Sequence, residues 1–303
     1  MKFTPDQDIP DLSGRVVLVT GGNVGLGRET VRQIAKHNPA LIYLAARTKS
    51  KAEATIAELK AENPNAAPIS FLDLDLSSFE SIKKAAATLN SSTERLDLLI
   101  NNAGVMATPA GTTAEGYEHQ FGTNHVGHAL LTKLLLPKLN ETAGKHPEVD
   151  VRIVNVSSGA HRLAPFDGYP FAALKGDLGD YSTFTRYGIS KLANIHFTQE
   201  LAKRNPEVKC VSIHPGAVNT NLSSGVTSTR PWLAVPAKVV SWLFAGTVEK
   251  GALNQLWAAF APQAKSGEYY FPVGVETHDA RVDNHKAAED LWKWTEEQLE
   301  GHT

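Results

Sequence analysis

Tyr187 and Lys191 stand four residues apart in the stretch Tyr187-Gly188-Ile189-Ser190-Lys191. On a helix that spacing puts both side chains on one face. A phenol with a pKa of ~10 is a poor acid or base at neutral pH. An ammonium fixed beside it favours the phenolate and lowers that pKa. Such a pair can exchange a proton with an alcohol or carbonyl oxygen. The same spacing also arises on any solvated helix face, so its chemistry depends on what the rest of the chain brings to it.

Other stretches carry chemistry of a second kind. Thr20-Gly21-Gly22-Asn23-Val24-Gly25-Leu26-Gly27 lies between an apolar run and an amphipathic segment. Glycines there permit a tight turn and close backbone approach, and a following helix offers free N–H groups to a phosphate. The spacing is T-G-x-x-x-G-x-G, which differs from the usual dinucleotide fingerprint. Ala45-Ala46-Arg47-Thr48 closes a second strand without an acidic residue. An acid at that place binds the 2′-hydroxyl of NAD, whereas arginine pairs with the 2′-phosphate of NADP. Arg47 therefore points to NADP(H), with stacking on adenine as its alternative role. Asp75 either accepts from an adenine amino group or caps a helix near Ser77-Ser78. Asn101-Asn102-Ala103-Gly104 suits a turn that leaves room for a cofactor. Asn124 interrupts an apolar helical stripe, where asparagine is mildly unfavourable. Ser158 follows a strand and can donate to a substrate oxygen. His119, His125 and His128 are close in sequence, but metal ligation needs convergent histidines and a further ligand. No metal is expected.

These residues need a scaffold. Short apolar, β-branched runs predict strands at Arg15–Thr20, Leu41–Ala45, Pro68–Leu72, Leu96–Ile100, Val151–Val156, Lys209–Ile213 and Glu268–Pro272. Helices are predicted from the glycine loop to about Lys36, over Ser50–Glu62, from Ser77-Ser78 to Leu89, over Glu115–Leu139, through Tyr187 to about Arg204, and over His285–Glu300. Alternating strands and helices imply an α/β fold, a doubly wound parallel sheet of about seven strands in a single domain over 1–303. Ligands bind at the carboxyl ends of such strands. The glycine loop, Arg47, Asp75, Asn102 and Ser158 all fall there. The irregular stretch 160–181 is expected to shape a substrate pocket. Residues 217–246, with Trp232, Trp242, Leu243 and Phe244, read as an apolar lid, or as a docked helix pair. A membrane-surface patch would need more Lys and Arg on its polar face.

Composition sets outer limits. The chain has 303 residues, 42% hydrophobic and 20% charged, with a formal net charge of -2. Its basic residues are scattered, which argues against nucleic acid. No apolar run is long enough for a membrane span, and no signal peptide is evident. The single cysteine, Cys210, excludes a disulfide framework and suits a reducing, cytoplasmic setting.

Taken together, T-G-G-N-V-G-L-G at 20–27, N-N-A-G at 101–104, Asn124, V-S-S at 156–158, Y-G-I-S-K at 187–191 and Pro215-Gly216 resemble the short-chain dehydrogenase/reductase family, in the family's order over about residues 12–275. Within it, Asn23, Arg28-Glu29-Thr30, the stretch Phe121–His128 and Ser190–Asn194 resemble retinol dehydrogenases, WW-domain oxidoreductases and their soluble fungal and plant relatives. The resemblance implies a catalytic set of Asn124, Ser158, Tyr187 and Lys191. Tyr187 would donate the proton in reduction and Ser158 would orient the carbonyl. Lys191 would hold the nicotinamide ribose and depress the Tyr187 pKa, and Asn124 would position a relay water. Implied cofactor contacts are Gly21, Asn23, Gly25, Leu26, Gly27, Arg47, Asp75, Leu76, Asn102, Ala103, Gly104, Tyr187, Lys191, Pro215, Gly216, Val218 and Thr220. The expected activity is NADP(H)-dependent exchange between an alcohol and a small or medium apolar carbonyl compound. Alternatives are a retinol- or steroid-type dehydrogenase with a membrane-borne substrate, or a cofactor-binding regulator without turnover. Relatives often pair through two long helices. A homodimer is therefore open here, the same apolar residues serving equally as core.

Overall fold

The computed structural model describes residues 3–216 and 246–303. Seven parallel strands form one sheet in the order β3-β2-β1-β4-β5-β6-β7. They are β1 Val16–Thr20, β2 Leu41–Ala46, β3 Ile69–Asp73, β4 Leu98–Asn101, β5 Arg152–Val156, β6 Lys209–Ile213 and β7 Tyr269–Tyr270. The principal helices are α1 Gly25–Ile34, α2 Lys49–Glu62, α3 Phe79–Ser92, α4 Gly127–Lys145, α5 Thr183–Arg204, α6 Val248–Phe260 and α7 His285–Leu299.

Side chains alternate across the sheet, and β1 shows the consequence. Val16 and Leu18 join the core beneath α3, α4, α5 and α7, with Ile82, Leu131, Ile189 and Leu291. Val17 and Val19 join the opposite core beneath α1 and α6, with Val31, Ile34 and Trp257. Covering both faces explains why the strand reads as a continuous apolar run. Helix α7 docks through Leu291 and Leu299, and Trp292 stacks on Phe197 of α5 at 5.4 Å.

Several element boundaries differ from the sequence pattern, most of them by one to three residues. The long helix expected over Glu115–Leu139 opens at His119, where the Glu118 carboxylate accepts from Phe121 N at 2.6 Å. It then widens into a π turn at Gly122–Val126 before α4. Helix α4 also runs past Leu139 to Lys145. The buried Thr142 hydroxyl there accepts from Leu96 N, so tertiary contact extends it. Strand β7 keeps only two of the five residues expected. Pro272 has no N–H for a ladder, and the chain turns so that Phe271 N donates to Val275 O. The lid at 217–246, with Val218 and Thr220, lies outside the described residues except for Gly246. Among the described residues, no helix is long and apolar enough to cross a membrane.

Candidate active site

The turn between β1 and α1 is built for close approach. A methyl on Gly27 would stand 2.2 Å from Gly21 O and 2.6 Å from Asn102 Nδ2, so only glycine fits. Val24 precedes α1 without a side-chain cap, and no acid sits in the first turn. The helix thus meets this turn with uncapped N–H groups and no negative charge. Asn102 ties β4 to the same turn, donating from Nδ2 to Thr20 O at 2.8 Å. The Thr20 hydroxyl accepts from Asn102 N and Ala103 N, both at 3.0 Å. Gly21 and Gly27 therefore sit against Asn102 and Ala103, with Asn23, Gly25 and Leu26 in the same turn and Gly104 following Ala103. Such a cradle fits the pyrophosphate of a dinucleotide.

Arg47 ends up exposed beyond β2. Asp75 and Leu76 follow β3. The cap of α3 is Ser78, whose hydroxyl accepts from Ser81 N. Asp75 instead accepts from Ser77 N and Ser77 Oγ through Oδ1, so of its two alternative roles the helix cap is the one that does not hold. Leu76 is buried. Pro215 and Gly216 follow β6, with Gly216 N donating to His214 Nδ1 at 3.3 Å.

Helix α5 carries Tyr187 and Lys191, both buried. Its one glycine, Gly188, faces the 160–164 turn. A methyl there would lie 2.6 Å from Ala160 O, so glycine lets the turn after Ser158 pack beside Tyr187. Strand β5 is locked to α5 at the same level. Ser157 Oγ donates to Lys191 O at 2.6 Å, and Lys191 Nζ donates to Val156 O at 2.9 Å. Ser158 is thereby brought beside Tyr187, where its hydroxyl favours the phenolate.

The electrostatics depart from the expected pairing. Burial pushes the Tyr187 phenol up to about 12, against a lowering from the Ser158 hydrogen bond. Burial also pushes the Lys191 ammonium down to about 8. Lys191 Nζ lies 5.7 Å from the Tyr187 ring centroid. Without a cofactor, desolvation outweighs any lowering of the phenol by its neighbour.

Asn124 falls in the π turn. Its Oδ1 accepts from Val105 N at 2.8 Å, and its Nδ2 donates to Val105 O and to Ser190 Oγ at 2.9 and 3.0 Å. The side chain is thus saturated by protein groups, and its main-chain carbonyl accepts from His128 Nδ1 at 3.0 Å. Gly104 backs onto both Asn124 and Lys191.

The three histidines do not converge. His125 faces Thr295 of α7 at 3.1 Å, while His128 Nε2 faces Thr20 Oγ1 at 2.9 Å. Burial holds them low, near 3 and 4. Sequence reading missed three participants: His128, Ser190 and the His161–Asp279 pair. A histidine two residues beyond Ser158-Gly159 was a usable signal, whereas Asp279 is 118 residues from its partner and gave none. A separate surface cluster, Glu268, Glu276 and His278, is engaged by Lys265 and Asp283.

Comparison with known proteins agrees with this geometry. The family described as short chain dehydrogenase matches residues 15–231. Short-chain dehydrogenase/reductase drtF of Aspergillus calidoustus is 36% identical over 310 residues, covering 96% of this chain and 95% of that protein. Mouse retinol dehydrogenase 12 is 38% identical over 285 residues, covering 93% and 85%. These near-equal identities favour neither branch. A crystal structure of an uncharacterised Mycobacterium paratuberculosis protein superposes with a TM-score of 0.76 at 29% identity, covering 99% and 98% of the two chains. The chain belongs to the short-chain dehydrogenase family and is an NAD(P)(H)-dependent oxidoreductase of alcohol and carbonyl groups.

Proposed function

We propose that this protein interconverts a small or medium apolar ketone or aldehyde and its alcohol, with NADP(H), through Tyr187, Ser158, Lys191 and Asn124. The observation that carries the reading is the buried Tyr187–Lys191 turn locked to the end of β5, where Ser157 Oγ donates to Lys191 O and Lys191 Nζ donates to Val156 O, next to Ser158. Bound NADPH supplies the hydride. Ser158 Oγ accepts from Ala160 N at 3.1 Å, so its own hydrogen is available to a carbonyl oxygen. Tyr187, protonated at neutral pH, gives its proton to that oxygen as negative charge builds there. Lys191 spends one hydrogen on Val156 O and keeps two for ribose hydroxyls. The Asn124 carbonyl has a second lone pair for a relay water.

Arg47, exposed at the end of β2 with no acid beside it, supports a 2′-phosphate and hence NADP(H). The turn 160–164 against α5, with Leu163 51% and Phe166 64% exposed nearby in sequence, supports an apolar substrate. The buried Cys210, its thiol pushed up to about 12 by burial, suits a cytoplasmic setting. A carbonyl panel read by NADPH absorbance, with NADH alongside, tests the proposal. Turnover with NADH only would remove the cofactor assignment. Tight NADPH binding with no turnover would favour a regulator.

A further inference from the structure

We propose that His161 carries hydrogens on both ring nitrogens, bridging the Ser158 carbonyl and the Asp279 carboxylate, and that this ion pair, buried on its histidine side, positions Ser158 for reaction. The inference rests on the reading of Ser158 as the carbonyl-orienting hydroxyl. His161 Nδ1 lies 2.8 Å from Ser158 O. A carbonyl only accepts, so Nδ1 is a donor. His161 Nε2 lies 2.8 Å from Asp279 Oδ2. The same oxygen receives Arg162 Nε at 3.2 Å, and Oδ1 receives Arg281 N and Val282 N at 3.0 and 3.1 Å. Burial opposes ionisation of Asp279, but the His161 hydrogen bond and backbone donors outweigh it and hold the carboxyl well below its ordinary range. An ionised carboxylate also only accepts, so Nε2 is a donor too. The ring is 1% exposed, and a charge at such depth needs its partner.

The bridge fixes the reacting end of β5. Ser158 O takes hydrogens from His161 N and His161 Nδ1, and Ser158 Oγ takes one from Ala160 N. The serine is thereby held at both backbone and side chain. Asp279 belongs to the segment before α7, where Arg281 Nε also donates to Ala164 O at 2.9 Å. The C-terminal part of the chain thus clamps the turn that follows Ser158. The other titratable groups facing His161 are Arg162, His214, His196 and Tyr269, whose hydroxyl is 3.5 Å from Nδ1. His161 is a positioning residue, acting through Ser158.

Histidine-selective 15N labelling of the whole protein reads the ring directly, with its signals assigned by their loss in His161→Gln. Two bound ring hydrogens at pH 7 are expected in the wild type and one in Asp279→Asn. A single hydrogen in the wild type overturns the proposal; if His161→Gln does not fold, the ring is assigned in the wild type by its nuclear Overhauser contact with Tyr269, whose ring lies 5.3 Å away. In turnover, both variants should lose about tenfold or more of kcat, with the KM for NADPH within about twofold. The alkaline limb of the Asp279→Asn kcat profile should move to lower pH. Wild-type kcat and an unmoved profile in both variants would also overturn it. A wild type inert toward every carbonyl compound defeats the Tyr187 reading instead, while the ring hydrogens still decide the state of His161.

Discussion

Lys191 and Tyr187 share one face of α5, yet the ammonium spends its hydrogen bond on Val156 O at 2.9 Å and stands 5.7 Å from the phenol ring centroid. Both are buried, and desolvation disfavours the charged form of each. The folded protein holds the lysine near 8, whereas an unfolded lysine titrates near ~10.4. Between these values the unfolded chain keeps the proton that the folded one sheds, so stability rises with pH. From pH 7 to 9 Lys191 should contribute a gain of about 1 kcal/mol, absent in Lys191→Met. Urea unfolding of both proteins at the two pH values measures it. Equal pH slopes would contradict the assigned burial.

Tyr187→Phe removes the proposed proton donor and little volume. A fall in kcat of about 10²–10⁴ is expected, with NADPH affinity nearly unchanged. Stopped-flow turnover beside a fluorescence titration of NADPH separates the two. Near-normal turnover would exclude Tyr187 as the acid.

Arg47→Ala addresses cofactor choice alone. A charge-assisted pair with a 2′-phosphate is worth ~1.5–3 kcal/mol, so kcat/KM for NADPH should drop at least tenfold while that for NADH holds steady. A parallel loss with both cofactors would assign Arg47 to adenine stacking.

Gly27→Ala forces a methyl to within 2.2 Å of Gly21 O. The obstacle is backbone, so the turn itself must shift. A loss of about 1–3 kcal/mol in stability and a clear weakening of NADPH binding should follow. Gly111→Ala, where nothing lies within 4 Å, is the control, read by Tm and by titration.

Much of this architecture is legible along the chain because its signals are local. The run Val16–Val19 announces a strand covered on both faces, and the Tyr187–Lys191 spacing survives in α5. What joins those pieces is long-range. His128 meets Thr20 across 108 residues and His161 meets Asp279 across 118. No periodicity encodes either contact. The π turn around Asn124 is equally silent, since its residues read as ordinary helix. The Tyr187 phenol was expected to be lowered by its lysine. Its actual state depends on burial by the 160–164 turn, which sequence spacing does not measure.

His125, His128 and His196 are buried, neutral imidazoles whose ring nitrogens are taken by Thr295, by Thr20 and Asn124, and by Tyr169 and Arg281. Burial holds them near 3, 4 and 4. In the unfolded chain all three protonate near ~6.5. As pH falls from there toward 4, each withdraws up to ~1.4 kcal/mol of stability per unit, and together they approach the ~5–15 kcal/mol that most domains hold in reserve. Mild acid should therefore act as a cooperative fuse. Unfolding followed by circular dichroism should show a steep acid transition between about pH 4 and 6, shallower in His196→Gln. Three rings that tie the π turn to α7, α4 to β1, and α5 to the segment before α7 thus set the lower limit of acidity in which the enzyme can stay assembled.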